Sequence, residues 1–344
     1  MIDFRYHLVS IVAVFLALAI GIVLGSTELQ GPAYNLLNNT TAKLQNELNA
    51  VSSQRDTAQA QASLGDAYAA AVEPVVLRGL LSGQRLLILT EPGAQASVVS
   101  GITTAARDAG AEVTGLIALQ PKFFDTADTS QAGLNQTTLA VAQQAGIAVD
   151  SGEPYQQQAA QVLATEILTR PAAPPARQQG GTALAAAQTM LAAYAQSGFL
   201  TTSGQPAAQA TLAVVVTPQT APAGGGADPL GQLLVPLAEE LAARSSATVV
   251  AGSSAGSGPG SPLAVLRGSS AASQVSTVDD ADLVSGQTVV IQALASQLDG
   301  GKPGSYGTAA NGASAVAPSP APTPSPSASA SPTSAPAAAK RAGR

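Results

Sequence analysis

The feature that most constrains this chain is an uncharged apolar run near its N-terminus. Residues 8–24 read LVSIVAVFLALAIGIVL, and Gly25, Ser26 and Thr27 extend the uncharged stretch to Glu28. About 20 helical residues, rising ~1.5 Å each, cover the roughly 30 Å hydrocarbon core of a bilayer. A helix also satisfies its backbone hydrogen bonds internally, as lipid demands. The run therefore predicts a transmembrane helix over residues 8–27. Arg5 is the one full positive charge before it, His7 adds part of another, and no Lys or Arg follows until Lys43. Positive charge on the inner side then places residues 1–7 in the cytoplasm and the remainder outside. A cleaved signal peptide is the competing reading, with Val23 and Gly25 as a poor cleavage site. A buried core helix is the third.

Beyond Gly31 and Pro32 the chain is polar and free of proline until Pro74. Leu37, Leu44, Val51 and Ala58 recur every seven residues, and Thr41, Leu48, Arg55 and Ala62 form a second row four residues on. This weak heptad pattern predicts a coiled-coil stalk over residues 28–73. Two readings stand: a helix that joins subunits, most simply as a homodimer, or a single helix packing on its own domain. Arg55 on the seam weakens the dimer.

The next segment alternates short apolar runs with amphipathic ones. Residues 86–90 and 113–119 read as strands around a helix at 98–109, with Gly110 as a helix stop. The unit recurs as a strand at 211–217, a helix at 230–244 opened by Asp228 and Pro229, and a strand at 247–251. Helices near 138–145, 155–169 and 182–197 lie between, with a break at 171–181. A strand at 275–278 and a helix at 288–298 follow. Such alternation implies an extracytoplasmic α/β layered domain over residues 74–310 with a mostly parallel sheet. The Pro-, Ala- and Ser-rich residues 311–344 are expected to be disordered, because they offer too little apolar surface to fold. Their Ser/Thr-Pro composition suits O-linked sugar.

Chemistry is scarce. The chain has no cysteine, so disulfides and thiolate metal sites are excluded. Between Gln84 and Asp299 there are 7 Lys/Arg against 15 Asp/Glu, which argues against nucleic acid as a partner. The loop Thr90, Glu91, Pro92, Gly93, Ala94 sits where doubly wound sheets bind ligands, but it lacks the dinucleotide and P-loop glycine patterns and reads as a turn. Gly224, Gly225 and Gly226 read as a surface loop. Asp279, Asp280 and Asp282 form the one tight carboxylate cluster. It suits a hard cation or acid–base work, and reads more simply as a solvated acidic turn. Ser253 and Ser254 lack a nucleophile elbow. The one histidine, His7, borders the apolar run and reads as an interfacial residue. No catalytic residue, no cofactor and no enzyme activity are expected, and the metal site residues remain unknown.

The opening Ile2, Asp3, Phe4, Arg5, Tyr6, His7, Leu8, Val9, Ser10, with the apolar run and stalk, closely resembles the actinobacterial MctB family of copper transport proteins. Ser276, Thr277, Val278, Asp279 and then Gly304, Ser305, Tyr306, Gly307 resemble that family's C-terminal signature. The likeness covers most of residues 1–310. It implies copper homeostasis, with copper ions as cargo crossing the envelope, a lipid membrane as partner, and an outer-membrane location where the host has one. Copper favours Cys and Met or imidazole, and this chain offers Met1, Met190 and His7. One apolar helix makes no pore by itself. A non-catalytic envelope scaffold or binding module displayed on the stalk is the alternative role.

Overall fold

The computed structural model describes residues 4–170, 182–219, 229–307 and 314–318. The break at 171–181, the Gly224–Gly226 loop, Asp228 and most of the tail lie outside the described residues. The chain divides into two compact units, Met1–Ala67 and Tyr68–Arg344.

The first unit is helical. One helix, α1 (Phe4–Leu77), begins here, runs through Pro32 and Pro74 and ends in the second unit. Its stretch Arg5–Gly25 is long and apolar enough to cross a membrane, and none of it is buried. In the stalk stretch Leu37, Leu44, Leu48 and Val51 are between 54% and 67% exposed. The Arg55 guanidinium turns onto its neighbour Asp56 at 2.8 Å, and Lys43 pairs with Glu47 one turn on at 3.9 Å.

The second unit is a seven-stranded sheet with helices on both faces. In chain order its elements are β1 (Arg85–Thr90), α2 (Ala96–Asp108), β2 (Glu112–Leu119), α3 (Asp128–Ala145), α4 (Tyr155–Ile167), α5 (Thr182–Gln196), β3 (Leu200–Gly204), β4 (Leu212–Val216), α6 (Pro229–Arg244), β5 (Ala247–Ala251), α7 (Pro262–Arg267), β6 (Ser276–Val278), α8 (Val284–Leu298) and β7 (Ser305–Tyr306). The strand order is β3-β2-β1-β4-β5-β6-β7. Every neighbouring pair is parallel except β2 with β3. The mostly parallel α/β layout expected from the alternation is therefore present.

The central strands are buried on both faces, so they read as continuous apolar runs rather than alternating ones. Leu87, Leu89, Ile117, Val215 and Val250 pack against α3, α4, α5, α6 and α7. Leu86, Ile88, Val214, Val216 and Val249 pack on the other side against α2, α8 and Leu77 at the end of α1. Each fully buried Leu, Ile or Val contributes about 1.5–3 kcal/mol relative to exposure. In the first layer the buried Tyr194 hydroxyl lies 2.9 Å from Thr138 Oγ1.

Three elements depart from expectation. α3 begins at Asp128, some ten residues before the predicted start, because only its last turns carry regular apolar spacing. β3 is polar, with four of its five residues exposed, and was not anticipated. β7, inside the expected domain, was not anticipated as a strand either. β7 pairs with β6, and residues 314–315 are tied to it by Ser314 N–H donating to Ser305 O at 2.9 Å and Gly307 N–H donating to Ala315 O at 3.1 Å. Residues 314–318, expected within the disordered tail, are thus placed beside the sheet.

Candidate functional site

In open α/β sheets the ligand crevice lies beyond the carboxyl ends of the strands, where the strand order reverses. Here the reversal falls between β1 and β4. The Thr90–Ala94 loop is a turn, with Ala94 N–H donating to Glu91 O at 3.2 Å. Its Gly93 takes φ +89, and a β-carbon there would lie 3.3 Å from Pro218 Cβ. Gln219 N–H donates to Gly93 O at 3.3 Å, and Gly256 approaches Pro218 O so closely that no β-carbon fits between them. The chain's own loops close the crevice at Gly93, Pro218 and Gly256, while an open groove lined by Thr90, Ala94, Val99 and Leu116 remains on the α2 side.

The crest beyond β5 and β6 gathers the candidate polar residues. Ser253 Oγ donates to Gln219 O at 3.1 Å and accepts from Gly256 N–H at 3.2 Å, which caps a short turn. Ser254 N–H donates to Asp282 Oδ1 at 3.2 Å. Ser257 Oγ donates to Ser253 O and to Asp279 O. These contacts fix loops. No histidine is available to make either serine a nucleophile, because His7 is the only one in the chain.

The acidic cluster differs most from expectation. Asp279 is fully buried and its Oδ2 lies 2.8 Å from Arg267 Nη1. Arg267 also donates from Nε to Thr277 Oγ1 and from Nη2 to Tyr306 O, each at 2.9 Å. The solvated acidic turn is thus corrected: a carboxylate here lies under two strands and survives there because a guanidinium compensates it. Asp280 is also buried, and its Oδ1 has no hydrogen-bond partner. Burial, then the neighbouring Asp279 charge and more weakly Asp282, raise its pKa. A hydrogen bond from its own backbone N–H and the Arg267 charge oppose them. Only Asp282 is exposed.

The two segments of the C-terminal signature meet at this point. Thr277 pairs with Ser305 and Val278 with Tyr306. Gly307, at φ +118, packs where any β-carbon would collide with Asp279 Oδ1. Arg267, which joins both segments, was missed in the sequence. A signal existed: between Arg244 and residue 310 the only basic residues are Arg267 and Lys302, so a buried Asp279 had few partners to choose from.

Copper chemistry finds little support in these side chains. Met190 is 2% exposed and belongs to the core layer under α5. His7 lies on the exposed surface of α1, and Met1 lies outside the described residues. Among the described residues no group of three or more His, Cys, Asp or Glu is arranged to hold a metal ion.

Comparison with known proteins supplies what the side chains do not. Residues 1–318 match the family model described as copper transport outer membrane protein, MctB. The protein named copper transporter MctB of Mycobacterium tuberculosis (strain H37Rv) is 31% identical over 315 residues, which covers 90% of this chain and 96% of that protein. The Mycobacterium bovis protein of the same name matches equally. The Mycobacterium leprae one is 28% identical over 326 residues, covering 92% of this chain and all of that protein. With a match running from the apolar helix through β7, the chain belongs to the MctB family.

Proposed function

We propose that this chain is a membrane-anchored copper-homeostasis protein that assists copper efflux or passage across the cell envelope. The observation that carries the reading is the family match over residues 1–318, from the apolar helix through the Arg267–Asp279 clamp. In this reading the helix at Arg5–Gly25 is a retained single span, residues 1–7 face the cytoplasm, and the α/β domain stands outside. Residues 28–73 form a coiled-coil stalk that joins copies of the chain, supported by the exposed seam at Leu37, Leu44, Leu48 and Val51. The Pro-rich end serves as an extended tail.

Copper is cargo here, not a resident cofactor. Cu(I) is held by soft sulfur and Cu(II) by imidazole, and the described residues supply neither in a cluster. Passage needs weak, exchangeable contacts rather than a tight site, and one apolar helix lines a path only as part of an assembly. The role is non-catalytic, in keeping with the Ser253 hydroxyl being held in a loop contact.

A second reading, an envelope scaffold displayed on the stalk, is favoured by the self-filled crevice at Gly93, Pro218 and Gly256. Total cell copper under copper challenge separates the two. Copper that rises in a strain lacking the gene and falls on complementation supports the first reading. Unchanged copper leaves the scaffold.

A further inference from the structure

The turn from β6 to α8 carries Asp279, Asp280 and Asp282, and its charges are settled unequally. Asp279 has the Arg267 guanidinium at 2.8 Å. Asp282 is exposed, and its Oδ1 accepts Ser254 N–H. Asp280 lies between them and is 9% exposed, and its Oδ1 meets no donor among the described residues. A buried acceptor without a donor is unfavourable, and more so when it is charged.

Asp280 is also wedged against α8. Its carbonyl accepts Leu283 N–H at 2.9 Å. A β-carbon on Gly286, in the first turn of α8, would lie 2.7 Å from Asp280 Oδ1 and closer still to Asp280 O. On its other side the turn is tied by Ala281 N–H donating to Gly252 O at 2.9 Å and by Gln287 Nε2 donating to Ala281 O at 3.0 Å. Hydrating Oδ1 therefore requires the turn, with the first turn of α8, to move. That helix starts weakly. Its N-cap is Leu283, which supplies no side-chain hydrogen bond, where Ser, Thr, Asp or Asn would.

The same turn of α8 holds the end of α1 that belongs to the second unit. Thr288 Oγ1 lies 3.1 Å from Val284 O and 3.1 Å from Glu73 Oε1, and it is the donor to both.

We propose that Asp280 is a proton-operated latch on the first turn of α8: the protonated carboxyl lets the turn close over the crest, and the ionised one drives it toward an open form in which water reaches Oδ1. Thr288 passes the change on to Glu73, so the grip on the last turns of α1 follows the proton. The latch works through the fold alone and does not depend on what the protein carries.

The surrounding charges set its direction. Burial opposes ionisation of Asp280 most, and Asp279 and Asp282 on the same turn oppose it further, while a hydrogen bond from its own backbone and Arg267 of α7 favour it. α8 has no charged residue between Val284 and Leu298, and Glu73 of α1 is the titratable group that meets it at Thr288. The balance holds the folded pKa above the ordinary carboxylate value. The closed turn thus binds the proton more tightly than the open one. Closure is strongest below the ordinary carboxylate range and weakens as pH rises through the folded pKa.

Hydrogen exchange of the full chain in detergent micelles, corrected for the intrinsic effect of pH, reads the latch at the bonded amides of Ala281, Leu283 and Gln287. Their protection should fall severalfold as pH rises from below the ordinary carboxylate range to neutrality, and then level off. At neutral pH they should exchange faster than the amides of β4, because the opening is local. Asp280→Asn, neutral and of the same shape, should hold protection high and flat over that range. Asp282→Asn, which removes an exposed charge on the same turn, should keep the falling profile. Flat protection in the native chain overturns the proposal whether or not either variant folds. So does protection equal to that of β4, a falling profile retained by Asp280→Asn, or one abolished by Asp282→Asn.

Discussion

The membrane-span-length helix and the sheet domain are built from similar residues and treat them in opposite ways. In the first unit Leu16, Ile20, Leu37 and Leu44 are all more than half exposed. In the second, Leu87, Leu89, Val214 and Val250 are fully buried, and the Tyr194 hydroxyl and the Asp279 carboxylate find partners inside the fold. The difference teaches where each unit's missing contacts lie. The domain completes most of its interior from its own chain. The helix presents apolar surface that lipid, in one stretch, and another helix, in the next, are suited to cover.

The sharpest way to break this contrast is to open the domain's sealed interior. Asp279→Ala strands the Arg267 guanidinium among buried strands. It should destabilise the second unit by about 3–5 kcal/mol, read by urea denaturation, with β7 the first element to lose protection from exchange. A stability unchanged within 1 kcal/mol would mean that the clamp is idle. Leu16→Arg puts a charge in the middle of the apolar run and should weaken insertion by about 2.5–3.5 kcal/mol. Carbonate extraction should then find more of the chain in the soluble fraction, with the domain's melting curve unchanged.

Tyr194→Phe removes one buried hydrogen bond and leaves Thr138 Oγ1 without its partner. A loss of about 1 kcal/mol is expected, again by denaturation. Asp280→Asn should act in the opposite direction. The folded state raises the pKa of Asp280, so folding favours its protonated form, and the penalty is complete once pH has risen above the folded pKa. The variant should therefore melt higher than the native chain at neutral pH. The advantage should fade as pH falls through the folded pKa and vanish below the ordinary carboxylate range. An advantage that grew in acid would reverse the assigned sign. The smallest effect on the domain belongs to Leu44→Asp in the stalk. It should abolish stalk-mediated assembly in sedimentation while moving the domain's stability by less than about 0.5 kcal/mol.

How much of this was legible beforehand follows the same division. The runs at 86–90 and 247–251 read as strands because burial on both faces leaves a nearly continuous apolar signature, whereas 113–119, half-buried on one face, read as a strand through its place after the helix and Gly110. Gly110 marked the end of α2 correctly and takes φ +87 just beyond its C-cap Ala109. β3 was invisible for the converse reason: LTTSG carries no burial pattern, and only its pairing with β2 makes it a strand. β7, two residues long, is likewise defined by its partners, β6 and Arg267. At the crest the residue types were noticed but their setting was not. Asp279, Asp280 and Asp282 are neighbours in sequence, yet one is a buried ion pair, one a buried carboxylate and one an exposed loop contact. Local sequence holds no information about which strands will cover a turn, so the three could not be told apart. The family likeness was legible above all from residues 2–10, whereas the copper role has no counterpart among the described side chains.

The central claim is that the anchored assembly, not the α/β domain by itself, serves copper homeostasis. Its most direct test is total cell copper under copper challenge, in a deletion strain complemented in two ways. One complement carries the full chain, and the other carries the domain exported without residues 5–25. The account predicts that the full chain returns copper to the parental level and that the unanchored domain, produced in equal amount, leaves it raised. Equal rescue by both would contradict the need for the anchor, and rescue by neither would contradict the copper role itself.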